Sequence, residues 1–471
     1  MAFVFTVIYV VLTIISPEQF GPEWASYHVL RYLAAIIFLF SLPGIINNAR
    51  FRSSIQTSLV LGLIFAIAAS QVANGWFGGV APSWQTFLPS AAVFFFIAAN
   101  VTTIRRLKIL ALTTVASCLV VAVESLSGYY GTFRGEMFVM KQNIYLSDEA
   151  VGQISRLRGA GFLNDPNDFA QILLIALPLL FVAWQRRQVI SNILFVIVPA
   201  GLLVWTIYLT HSRGALIALA VVALMVTRKR IGTTASAVLT TVMVVGLLAA
   251  NFTGGRGISA VDGADRLEAW ASGLEMFKTA PLFGIGFGSF TDFNDITAHN
   301  SFILCLAELG LVGATLWVGS LVTTMMGLDR IIRRQEQMRT EPMSPGKMGQ
   351  EIGTTHSEAS PPFPDADSKT TTSTTSGLDS ETIDELANRL DVPENWVVIM
   401  RLALIAFITA GWFLSRSYQP TMYLVLGLAA ATIALHGDAT ESRVRGRWLS
   451  LTLVTEMMVI IFIYGVVRLR F

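Results

Sequence analysis

The sequence predicts an all-α fold, a polytopic membrane bundle of about 12–13 transmembrane helices with a loop and helix domain on its outer face. Composition is the first reason: 54% of the 471 residues are hydrophobic and only 14% are charged, with a mean hydropathy of +0.61. The second is spacing. Apolar runs long enough to cross a bilayer, about 20 residues each, recur along almost the whole chain, whereas a membrane barrel would show shorter alternating segments. A net charge of +2 suggests no nucleic-acid surface.

By length, candidate spans fall near 2–16, 28–46, 56–73, 86–101, 107–124, 167–184, 190–209, 212–227, 234–251, 300–327, 397–415, 419–435 and 449–467. The first run lacks a basic leader and a small-residue cleavage site, so it reads as a retained helix. If the helices alternate, five basic loops share one side: Arg50 and Arg52; Arg105, Arg106 and Lys108; Arg186 and Arg187; Arg228, Lys229 and Arg230; Arg443, Arg445 and Arg447. Basic loops mark the cytoplasm. With thirteen spans Arg468 and Arg470 would fall on the other side, against that rule.

The chain divides into amino-terminal transmembrane helices (1–124), a core (125–327) with outer loops at 125–166 and 252–299, a polar insert (328–396) and carboxy-terminal transmembrane helices (397–471). The insert, rich in Ser, Thr, Pro and Gly, cannot bury a core and reads as largely disordered and cytoplasmic. Within it, Ser380, Ile383, Leu386 and Leu390 keep the spacing of a short amphipathic helix that Pro393 stops.

Several features on the outer side have plain structural readings. Asn164 or Asp165 before Pro166 makes a helix cap. Gly284, Gly286 and Gly288 lack the strand-turn-helix context of a phosphate loop, and instead let the chain turn sharply against the helices. Asp292 and Asp295 read as a solvated turn, so no metal and no cofactor is expected. Cys118 and Cys305 lie far apart inside apolar runs and read as packed thiols.

Arginines on that side are harder to account for. Asp265 and Glu268 form a capping-box pattern at the start of an amphipathic helix carrying Leu267, Trp270, Leu274 and Phe277, which would put Arg266 in a first turn where anions are favoured. Arg213 follows the tight turn Thr210-His211-Ser212 and opens an apolar helix, where a charge should be paired or face water. Arg158 precedes a Gly-Ala-Gly turn into the next helix. Each alone fits a headgroup contact or a loop ion pair. Three near helix starts in separate segments point to one shared anionic ligand, for which the guanidinium fork is suited.

His299, before Asn300 and Ser301 at the start of a long apolar helix, is a candidate general base, with capping or an interface role as the alternative. Glu308 is nine residues on, roughly half a turn away, and reads with Asn300 as supporting.

In order and spacing, these stretches resemble the bacterial O-antigen ligase and polymerase family: Arg158 to Ala170, Thr210 to Ala215, Arg266 to Gly288 and His299 to Gly313. The resemblance covers approximately residues 156–327. It implies a C-type membrane glycosyltransferase, inverting and metal-independent, in a bacterial inner membrane with its site facing the periplasm or cell exterior. The implied donor is a polyprenyl-diphosphate-linked glycan, and the acceptor a glycan or lipid-anchored saccharide. Membrane lipids and other envelope polysaccharide assembly proteins would be the remaining partners. Arg158, Arg213 and Arg266 would hold the diphosphate and His299 would activate the acceptor hydroxyl. Ligation and polymerisation share this chemistry. A transporter or flippase for a lipid-linked anion would also want outer arginines, although it should show internal repeats, and no duplicated pattern is evident.

Overall fold

Each of the thirteen apolar runs is helical in the computed structural model, which describes residues 1–16, 29–131, 135–146, 149–254, 260–340, 395–436 and 441–469. The short amphipathic segment at 380–390 lies outside the described residues. Among these residues, eight helices are long and apolar enough to cross a membrane, and Ala2–Ile15, Thr233–Ala249, Trp396–Gly411 and Pro420–Leu435 are shorter apolar helices. Arg213–Ile231 completes the set and ends in Arg228, Lys229 and Arg230. The chain is a multi-pass membrane protein.

Burial sorts the helices into two layers. Pro166–Leu180 and Pro420–Leu435 are buried along nearly their whole length, packed beside Asn395–Gly411. Val29–Asn47 and Gly446–Arg468 are peripheral, and the side chains they expose are large and apolar, such as Phe38, Leu39, Met458 and Ile461. Surfaces of that kind are stable against lipid tails and not against water. Some polar groups inside are paired across helices: Asn100 Nδ2 donates to Thr6 Oγ1 (3.0 Å) and Ser41 Oγ (2.9 Å).

The two ends differ. At the basic end, Lys229 pairs with Glu336 at 2.5 Å and Arg401 with Asp329 at 2.6 Å. At the opposite end lie the described residues of 130–165 and 250–300. The last helix finishes there too, with Ile463 in the apolar cluster that holds Trp270 and Leu274 and Val467 packed against that cluster.

Three features differ from the sequence-based expectation. The first outer loop contains an antiparallel hairpin, β1 (Val139–Leu146) and β2 (Glu149–Leu157), with a register irregularity between Ile144 and Tyr145. Within an otherwise all-α fold its weak polar alternation did not read as strand. The second is the helix carrying Arg266. It runs from Ala260 to Thr279, so Asp265 does not cap it and Arg266 lies in the second turn, away from the free amides of a first turn. A D-x-x-E pair has the same i,i+3 spacing inside a helix as at its start.

The third is a break in the long Ser301–Thr340 helix. Gly310 has φ 61° and ψ −164°, and the Pro281–Gly286 segment threads the gap. Ile285 N donates to Ala307 O (2.9 Å) and Gly286 N to Glu308 O (3.1 Å), while Leu311 N and Val312 N donate to Pro281 O and Leu282 O. Two carbonyls and two amides at the break are thereby paired inside protein, which helps to make the break tolerable at membrane depth. A Cβ on Gly284 would lie 2.2 Å from the carbonyl carbon of Glu308, and one on Gly310 only 2.4 Å from that of Leu282. The glycines thus serve close backbone crossing.

Candidate functional site

Three helix starts and one carboxy-terminal loop meet at the end opposite the basic loops. Asp165 caps Pro166–Leu180, its Oδ1 accepting from Asn167 N at 2.7 Å. Ser212 caps Arg213–Ile231 by accepting from Ala215 N at 3.3 Å, immediately after left-handed His211 ends the preceding helix. Asn300 caps the broken helix, its Oδ1 accepting from Phe302 N (2.9 Å) and Ile303 N (3.2 Å).

The loop between Asn395–Gly411 and Pro420–Leu435 draws these starts together. Ser301 Oγ donates to Leu414 O (2.5 Å) and accepts from Arg416 N (3.0 Å), while Ser417 Oγ donates to Ser301 O (2.6 Å). Phe413 sits so close to Gly214 that a Cβ there would be 2.9 Å from the Phe413 Cβ. Arg416 Nε donates to Asp168 Oδ1 at 2.5 Å, in the first turn of the helix that Asp165 caps.

His299 stands half-buried on this assembly with φ 47°. A non-glycine residue in that region carries backbone strain and is often functional. Burial, and then the positive charge of Arg266, hold its imidazole below the ordinary histidine range; Asp165 opposes them and Arg416 adds to them. The ring is therefore neutral near pH 7. Beside it, Asn300 is fully buried and its Nδ2 has no hydrogen-bond partner among the described residues.

The expected residues divide accordingly. The charge of Arg266 acts on His299, and Arg213 opens the helix that packs against the loop carrying Arg416. Arg158 is otherwise engaged: Nε donates to Met137 O (3.0 Å) and Nη2 to Glu136 O (3.3 Å), at the base of the hairpin. Glu308 is buried beneath the site, where Oε1 accepts from Phe290 N at 3.3 Å. It fixes the glycine segment that leads to His299. The same segment is held from the other side by Gln71 Nε2 on Phe287 O (2.9 Å), Ser70 Oγ on Phe287 N (3.1 Å) and Asn74 Nδ2 on Gly284 O (2.8 Å). Asp292 and Asp295 are exposed, and both cysteines are buried free thiols.

Two arginines escaped the sequence reading. Arg156, 4% exposed, donates from Nε to Thr210 O (2.9 Å), from Nη1 to Gln142 Oε1 (3.1 Å) and from Nη2 to Asn167 Oδ1 (2.9 Å). It ties the hairpin to two of the helix starts. Arg416 lies in a short loop between two generic apolar runs. Nothing in its local sequence marked it.

The fold and site define a polytopic helical membrane protein with a histidine and several arginines gathered around helix starts at one end. Residues 198–318 match the family model described as O-Antigen ligase. The match contains Arg213, Arg266, His299, Asn300 and Glu308, and leaves Arg158, Asp168 and Arg416 outside it. No curated protein matches the chain significantly.

Proposed function

We propose that the protein is an inverting, metal-independent glycosyltransferase that transfers or polymerises a polyprenyl-diphosphate-linked glycan onto an acceptor hydroxyl. The O-antigen ligase domain at 198–318 implies ligation or polymerisation of a lipid-linked glycan. The observation that carries the finer reading is the half-buried His299 at the start of the broken helix, its imidazole held below the ordinary histidine range by burial and by Arg266.

In this mechanism Arg213 and Arg266 bind the diphosphate. Arg158, with Nε and Nη2 already on carbonyls, contributes charge more than its full fork. His299 takes the proton of the acceptor hydroxyl as its oxygen attacks the anomeric carbon. The bond from that carbon to the diphosphate breaks on the opposite face, inverting the centre, and the arginines stabilise charge on the departing oxygens. Asn300 and Glu308 support the base, one through the helix cap and the other through the glycine segment. The basic loops at the far end support a cytoplasmic assignment for that end, and on this reading the site faces the outside of a bacterial inner membrane. The acceptor is then a glycan or lipid-anchored saccharide, and other envelope polysaccharide assembly proteins are the expected partners.

Purified protein with a polyprenyl-diphosphate oligosaccharide should form a new glycosidic bond, and His299→Ala should abolish it while the fold persists. Wild-type turnover by a folded His299→Ala variant would refute the base assignment. Donor flipping with no new bond would instead establish a transporter.

A further inference from the structure

Arg416 has a geometry that an ion pair alone does not require. Its main chain is fixed by Ser301 Oγ at 3.0 Å, two residues from His299, so its position relative to the base is set by the fold. Of its guanidinium, only Nε is used: it donates to Asp168 Oδ1 at 2.5 Å, and the Nη atoms make no hydrogen bond among the described residues. Asp168 is shielded at 6% side-chain exposure, whereas Arg416 remains 29% exposed. A guanidinium gripped through Nε still presents the edge formed by its two Nη groups, and that edge matches two oxygens of a phosphate. The charge also reaches the catalytic region, since Arg416 acts electrostatically on His299.

We propose that Arg416 is a further cation of the donor site, binding phosphate oxygens of the polyprenyl diphosphate through its Nη pair while Asp168 holds its Nε. This rests on the reading of the site as a diphosphate-dependent transferase. Asp168 has two roles in the arrangement: it orients the fork, and it neutralises a charge that would otherwise stand among other cations before the donor arrives. The consequence is a binding site completed from outside the matched family stretch, by the loop that joins two carboxy-terminal helices.

The test uses the full chain in lipid nanodiscs and a polyprenyl diphosphate without sugar as the probe, with the matching monophosphate for comparison. Arg416→Ala would leave a buried carboxylate unpaired, so the informative variant is Arg416→Gln combined with Asp168→Asn, which keeps a neutral pair. It should keep a wild-type melting temperature yet bind the diphosphate about 10–100-fold more weakly, the loss of one charge-assisted contact. Donor KM should rise more than kcat falls, and Arg416→Lys should recover part of the affinity. Unchanged diphosphate affinity in the double variant, with Arg266→Gln strongly weakened, would overturn the assignment of Arg416 and leave the transferase reading standing. A wild-type chain that binds neither probe would overturn both.

Discussion

Arg156 on the hairpin and Thr210 at the end of a transmembrane helix are joined by a 2.9 Å hydrogen bond from guanidinium Nε to main-chain carbonyl. Thr210 is the residue before the left-handed turn that starts the Arg213 helix, so this bond fixes the hairpin against one of the three helix starts. The same side chain bonds Asn167 at the second. Arg156→Leu should therefore loosen both and leave Thr210 O and Asn167 Oδ1 unpaired, costing about 2 kcal/mol or more. Arg156→Lys, which cannot span three partners at once, should recover only a fraction. Thermal unfolding in detergent reads the effect, and a melting temperature unchanged in Arg156→Leu would contradict it.

Gly284 and Gly310 should be intolerant of any side chain, for a reason that differs from Gly288. All three have positive φ, but a Cβ at Gly284 or Gly310 would also strike backbone at 2.2–2.4 Å, while Gly288 has nothing within 4 Å. Gly288→Ala should cost about 1–2 kcal/mol from backbone strain alone. Gly284→Ala and Gly310→Ala should cost several times that or abolish folded yield, because backbone cannot step aside as a flexible side chain can. Yield and melting temperature of the three purified variants provide the comparison.

These two relationships also show where the sequence was readable. Thirteen apolar runs announced thirteen helices, since a crossing segment must be apolar over its whole length whatever surrounds it. The cap before Pro166 and the Thr210–Gly214 turn were readable for a similar reason, as their partners lie within a few residues. What could not be read depends on distant chain. The break at Gly310 lies in an unbroken apolar run and exists because Pro281–Gly286 repairs it. Of two arginines two residues apart, only the packing of the hairpin decides that Arg156 is buried across helix starts and Arg158 holds carbonyls. Arg416 reaches the site through Ser301 and Asp168, contacts 115 and 248 residues away in sequence.

Glu308 supports the site through geometry, and its charge is not needed for that. Its Oε1 accepts from Phe290 N, a role an amide oxygen fills equally well. Glu308→Gln should then keep transfer within a few-fold of wild type, whereas Glu308→Leu should orphan the Phe290 amide and disturb the segment leading to His299, lowering kcat and stability together. A Gln variant as inactive as the Leu variant would show that the carboxylate itself takes part in the chemistry.

His299 should impose an acid limb on the pH–rate profile, and its neighbours predict which way the limb moves. The base must be neutral, so kcat/KM falls as pH drops through the histidine pKa of the free enzyme. Burial and Arg266 hold that pKa below the usual value of about 6.5, with Arg416 acting in the same direction and Asp165 against it. Arg266→Gln removes a positive charge, makes protonation easier and should shift the limb to higher pH, on top of slower turnover at every pH. Asp165→Asn keeps a good helix cap but removes the one opposing negative charge, so it should shift the limb to lower pH. Opposite displacements in the two variants, read from relative rates between about pH 4.5 and 8, identify the titrating group as His299. A limb that stays fixed in both would assign the titration to another group and remove the electrostatic basis for His299 as the base.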